Sequence, residues 1–101
     1  MQHVMEIAKF RVGSGFDHAS VLRRAASIEA WLRAQPGFVR RALVGPDDGG
    51  VWTDLVQWQS KESALSAAEA IGKAPELAGF MEMIDPESVS MQHLAIANTI
   101  E

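Results

Sequence analysis

The chain reads as an α+β protein with the element order β-α-β-β-α-β and one four-stranded antiparallel sheet. Three observations predict it. Four stretches alternate side chains with the two-residue period of a strand. Two further stretches repeat apolar residues at helical spacing, the second of them broken in two. Residues 45–50, Gly-Pro-Asp-Asp-Gly-Gly, make a short loop that joins the middle strands as a hairpin.

The first strand is expected from about His3 to Val12. Val4, Glu6, Ala8 and Phe10 point one way, and His3, Met5, Ile7, Lys9 and Arg11 the other. Gly13-Ser-Gly15 turns the chain, and Asp17 caps a helix whose apolar stripe is Val21, Leu22, Ala25, Ile28 and Leu32, with Trp31 at its edge. Pro36-Gly37 ends that helix. The second strand runs from Phe38 to Val44 and the third from Val51 to Gln59. Ser60 caps a second helix through about Ile71, with Leu65, Ala68 and Ile71 inward, and Gly72 ends it. Pro75 opens a short helix carrying Leu77, Phe80, Met81 and Ile84. After the turn at Asp85-Pro86 the last strand spans about Ser88 to Ala97. This order is the ferredoxin-like arrangement, and residues 1–101 read as one domain.

Composition narrows the function classes. A net charge of −4, a pI near 5.3 and no long basic stripe argue against nucleic acid. No apolar run approaches the roughly 18 residues of a membrane span, and the first residues lack the basic-then-apolar layout of a signal peptide. With no cysteine there is neither disulfide nor thiol chemistry, and the cytoplasm is the expected compartment. No His/Asp/Glu spacing suggests a metal site. Gly13-Ser-Gly15 lacks the sequence of a phosphate-cradling loop.

Two helical segments cover only one face of such a sheet, yet both faces carry apolar residues. Met5 and Ile7 oppose Val4, Ala8 and Phe10; Leu55 opposes Val56; Leu94 and Ile96 oppose Val89, Met91 and Ala95. An uncovered patch of that size predicts a homodimer through sheet-to-sheet packing.

Several segments carry a family resemblance: Pro36-Gly37-Phe38, Trp58-Gln59-Ser60-Lys61-Glu62-Ser63-Ala64, Pro75-Glu76-Leu77 before Phe80, and Met91-Gln92-His93-Leu94. On these, nearly the whole chain resembles the antibiotic-biosynthesis monooxygenase family of the dimeric α/β-barrel superfamily. The resemblance implies a homodimer with facing sheets and a pocket between each sheet and its own helices. Family oxygenases acting on polycyclic phenols place an Asn four residues before a Trp on the third strand. Here those positions are Asp54 and Trp58, and the family's substrate-side tyrosines have no counterpart in a chain without Tyr. In heme-degrading members a strand-one Asn, the same Trp and a second-helix His correspond to Glu6, Trp58 and Ala68, so the iron ligand is missing. No cofactor is expected.

The candidate chemistry follows from the third strand, where Trp52, Asp54, Val56 and Trp58 share a face. A carboxylate between two indoles is costly to bury unless paired. Asp54, Trp58, Glu6 and His93 are the candidate catalytic residues, with Trp31, Trp52 and Phe80 as candidate pocket walls. Two carboxylates beside an apolar pocket raise each other's pKa, which suits one of them to act as a general base toward a phenol or enol. Its electron-rich anion reacts with dioxygen directly, with Trp58 as a stacking wall and His93 as proton donor or second base. Each residue also has a plainer reading. Trp58 fits a core, Asp54 fits a cross-strand pair with Arg40 or Arg41, and His93 fits a satisfied strand histidine. Two functions therefore stand side by side: a cofactor-independent monooxygenase-like dimer acting on a small hydrophobic aromatic or quinol-type compound, and a non-catalytic small-ligand-binding or stress-associated dimer using the same pocket.

Overall fold

The computed structural model describes residues 2–101. Strand β1 (Val4–Phe10) runs between β3 (Trp52–Trp58) and β4 (Ser90–Ala95), and β2 (Phe38–Val44) flanks β3. The order β2-β3-β1-β4 is antiparallel throughout, the ferredoxin-like topology that the element order predicts. Helices α1 (His18–Ala26), α2 (Glu29–Ala34), α3 (Lys61–Ile71) and α4 (Ala78–Met83) supply the other half of the core. Val21, Ala25, Ile28, Leu32, Ala64, Leu77, Phe80 and Met83 bury themselves against Phe10, Trp52, Val56 and Trp58 of the sheet. Among the described residues no helix is long and apolar enough to cross a membrane.

Local chemistry explains the element ends. The Asp17 carboxylate accepts from Ser20 N at 2.8 Å, and Ser60 Oγ accepts from Ser63 N at 3.1 Å, so both helix caps form as expected. Pro75 opens a 3₁₀ turn (Pro75–Leu77) that leads into α4. In the hairpin loop Asp47 Oδ1 accepts from Gly49 N and Val51 N, both at 2.9 Å, while Gly45 and Gly50 take positive φ.

Four expectations change. The first helix is two helices, broken at Ser27 and Ile28. The Ala25 carbonyl there accepts from Arg41 Nη1 at 2.7 Å and from Ile28 N at 3.5 Å, a tighter link than the helical one. Leu22 and Leu65 are each 48% exposed and Met81 is 44% exposed, instead of facing inward. On α3 the inward residues are Ala64 and Ala67, with Ala68 and Ile71 partly buried. The first strand stops at Phe10, because Arg11 to Gly13 pair with the segment 83–85 and with Ser88: Gly13 N bonds Met83 O and Asp85 N bonds Arg11 O, both at 2.9 Å. The last strand starts at Ser90, since Pro86–Ser88 form a 3₁₀ turn whose Asp85 carboxylate accepts from Glu87 N at 3.1 Å.

The second face of the sheet carries Ala42, Leu55 and Ile7 in one cross-strand row, with Met5 and Leu94 beside them. Leu94 is 51% exposed. Gln57, also on this face, is buried beneath polar neighbours: Arg40 Nε donates to its Oε1 at 2.9 Å, and its Nε2 lies 2.8 Å from His3 Nδ1.

Candidate functional site

Alternation along β3 sends Trp52, Asp54, Val56 and Trp58 under the helices, and pairing with β1 sets them opposite Phe10, Ala8, Glu6 and Val4. Strand β4 then places His93 directly across from Glu6. Above this corner of the sheet α3 offers alanines, which leave space that larger side chains would fill. The result is a cavity of about 200 Å³ bordered by Glu6, Trp31, Trp58, Ala68, Ile71 and Met91. Its lining is mostly apolar, and Glu6 is its one charged residue.

The apolar site perturbs Glu6. Burial pushes its carboxyl above the usual carboxylate range, the nearby Asp54 charge adds to the rise, and His93 pulls it partly back. Glu6 Oε1 and His93 Nε2 are 3.0 Å apart, with the two side chains 12% and 14% exposed. Trp58 is 1% exposed. Its Nε1–H lies near enough to Glu6 to favour the ionised carboxylate, yet it falls short of a hydrogen bond and has no partner. A buried donor without an acceptor costs about 1–3 kcal/mol.

Asp54 stands elsewhere. Arg41 grips it in a fork, Nε to Oδ1 at 2.8 Å and Nη2 to Oδ2 at 2.6 Å, and both side chains are 9% exposed. The plainer reading of Asp54 as a cross-strand ion pair is the observed one, and a carboxylate so held does not border the Trp58 cavity. Arg41 reaches it because the register shifts between Phe38 and Arg40, so Arg41 and Leu43 pair with Val56 and Asp54 on the helix side while Arg40 turns to the other face. Trp52 and Phe80 also lie outside the cavity. Trp52 packs against His18, ring centres 5.3 Å apart, beside a separate recess of about 410 Å³. Phe80 meets Phe10 edge-on at 6.0 Å. Of the seven candidates the structure gathers Glu6, Trp58, Trp31 and, through Glu6, His93.

Sequence reasoning set Ala68 and Ile71 inward but named neither of them, nor Met91, as a wall of the cavity. Ala68, Ile71 and Met91 border it, and the available signal was the run of small residues on the inward side of α3. The same residues do not suit a heme. Ala68 presents a methyl group and no iron ligand, and about 200 Å³ is below the roughly 300 Å³ at which pockets begin to enclose drug-sized ligands.

No protein-family model matches the chain, nor does any curated protein. Solved structures do. A mutant of SnoaB, a cofactor-independent oxygenase from Streptomyces nogalater, superimposes with a TM-score of 0.76 at 19% identity, over 99% of this chain and 98% of that one. A Bordetella bronchiseptica protein assigned as an antibiotic biosynthesis monooxygenase gives 0.78 at 17% identity, over 92% and 95%. A heme-degrading protein from Mycobacterium tuberculosis gives 0.71 at 20% identity, over 99% and 97%. The chain thus has the α+β ferredoxin-like fold of the antibiotic-biosynthesis-monooxygenase type.

Proposed function

We propose that this protein is a cofactor-independent monooxygenase-like enzyme of the antibiotic-biosynthesis monooxygenase family, acting on a small hydrophobic aromatic or quinol-type compound. The observation that carries this reading is Glu6: a carboxyl with a raised pKa on the wall of an apolar cavity, beside an unpartnered buried indole N–H. The likeness to an oxygenase described as cofactor-independent supports it.

An apolar cavity of about 150 Å³ takes a benzene ring, so about 200 Å³ suits one substituted ring. Trp58 Nε1–H would donate to the substrate oxygen and Glu6, ionised, would take its proton. The anion left behind is electron-rich. In its keto form a ring CH₂ becomes C=O, one atom of dioxygen enters the product and the other leaves as water with the two displaced hydrogens. The substrate itself supplies the electrons.

Oxygen uptake tests this with a panel running from one-ring quinols to naphthoquinol and anthrone, with and without protein. One-ring substrates should react fastest, and Glu6→Gln and Trp58→Phe should each lose most of the rate. No rate above the protein-free control across the panel would refute it.

The second reading, a non-catalytic ligand-binding or stress-associated dimer, draws on the pairing of Asp54 with Arg41, which leaves Glu6 as the single carboxyl on the cavity. Binding of the same compounds without turnover would select it. Under either reading we place two copies face to face through Ile7, Leu55, Met5 and Leu94, the apolar side of the sheet that the helices leave uncovered.

A further inference from the structure

The Glu6–His93 pair spans two separate spaces. Glu6 borders the inner cavity of about 200 Å³ and His93 does not. His93 borders an outer recess of about 440 Å³, together with Val4, Ala95 and the start of α3, and Glu6 does not. The 3.0 Å contact between Glu6 Oε1 and His93 Nε2 links the two across the β1–β4 pair. On the other sides of Glu6 the cavity walls from α2 and α3 are uncharged: Trp31, Leu32, Ala67, Ala68 and Ile71. Beneath it, the Asp54 charge is held by Arg41. A proton arriving on Glu6 therefore has one titratable neighbour through which to leave. Around His93 the charged groups are Glu6 on one side, and Lys61 and Glu62 at the mouth of the recess on the other.

From this we infer that Glu6 and His93 form a proton conduit from the inner cavity to solvent. The inference rests on the proposed role of Glu6 as base. The substrate O–H bond breaks and its proton bonds to the Glu6 carboxylate. Glu6 then gives that proton to His93 Nε2, and the imidazolium gives one up to water in the outer recess. Glu6 returns to its ionised form with the substrate anion still in the cavity. No electron moves in these steps. Without His93 the proton would stay on Glu6, buried and poorly hydrated, until the ligand left.

The test uses the full chain and 4-nitrophenol, a one-ring phenol whose anion is coloured, mixed with protein at a pH where the free probe is largely un-ionised. Probe ionisation is followed by its colour and proton release by a red-absorbing indicator. Wild-type protein should show both. Glu6→Gln should bind the probe without ionising it. His93→Gln keeps an amide able to hydrogen-bond Glu6 but cannot carry a proton, so it should ionise the probe yet release protons at least about tenfold more slowly, at the low end of what a positioned proton-transfer group contributes. Added imidazole should restore fast release to His93→Ala. Release from His93→Gln at the wild-type rate would overturn the conduit while leaving Glu6 as base. Absence of ionisation by the wild type, or undiminished ionisation by Glu6→Gln, would overturn the base reading and the conduit with it.

Discussion

Replacing Asp54 by alanine tests whether this carboxylate works for the fold or for the chemistry. The substitution removes both acceptors in the Arg41 fork, at 2.8 and 2.6 Å, from a pair whose side chains are each 9% exposed. Arg41 is left with the Ala25 carbonyl at 2.7 Å and the Phe80 ring, 5.6 Å from the guanidinium carbon to its centre. Breaking a buried pair from one side costs about 3–5 kcal/mol. The surviving Ala25 bond and the cation–π contact place the expectation at about 3 kcal/mol. With a urea slope of about 1.5 kcal/mol/M, the unfolding midpoint should fall by about 2 M. The double variant Asp54→Leu/Arg41→Met removes both charges together, and such exchanges are often neutral or stabilising. Its midpoint should return close to the wild-type value, a coupling of about 2–3 kcal/mol. All variants are compared at one protomer concentration, because the stability of any self-associating chain depends on it. A loss below about 1 kcal/mol for Asp54→Ala, or a double variant no more stable than the single, would refute the ion-pair reasoning. Lost turnover with an unchanged midpoint would make Asp54 a reacting group instead.

Three further outcomes follow from the geometry. Because burial raises the native pKa of Glu6, its stabilising contribution is complete below the ordinary glutamate value of about 4.3 and is lost as pH rises through the higher native value. Glutamine does not titrate, so urea midpoints taken at low and at neutral pH should show Glu6→Gln gaining on the wild type as pH rises; a constant difference would contradict the burial argument. Gly37 has φ +82°, and a Cβ there would sit 2.6 Å from Ser63 Cβ. Gly37→Ala should therefore cost about 2 kcal/mol and lower Tm by roughly 10 °C in a thermal melt. Ile7→Glu puts a charge in the middle of the uncovered face, and sedimentation should then report the 11.0 kDa chain where the wild type gives twice that mass; equal masses for the two proteins would count against the facing-sheet dimer.

Local chemistry announced much of the fold. Asp17 and Ser60 can cap helices because each oxygen bonds an amide three residues on, and Pro75 starts a helical turn because its missing N–H needs no partner there. Strand alternation grouped Glu6 with Val4, Ala8 and Phe10, and Trp58 with Trp52, Asp54 and Val56, since neighbouring side chains must point opposite ways. The helical period was less decisive. It set Leu22 and Leu65 inward, but how far a helix is rotated about its axis depends on what it packs against, and here alanines meet the sheet on α3.

The site divides along the same line. The sequence by itself determined which side chains share a face within each strand, Glu6 with Val4, Ala8 and Phe10, and Trp58 with Trp52, Asp54 and Val56, because that depends only on the parity of positions; the pairing of β1 with β3 decided that these two faces lie together under the helices. Which arginine takes Asp54 was decided by the irregularity between Phe38 and Arg40, which reverses the facing of everything after it on β2. That Glu6 borders an apolar cavity while Asp54 pairs with Arg41 also required the assembled molecule. Strand register, the break between α1 and α2 and the missing volume over Trp58 are properties of segments packed against one another, and no single segment encodes them.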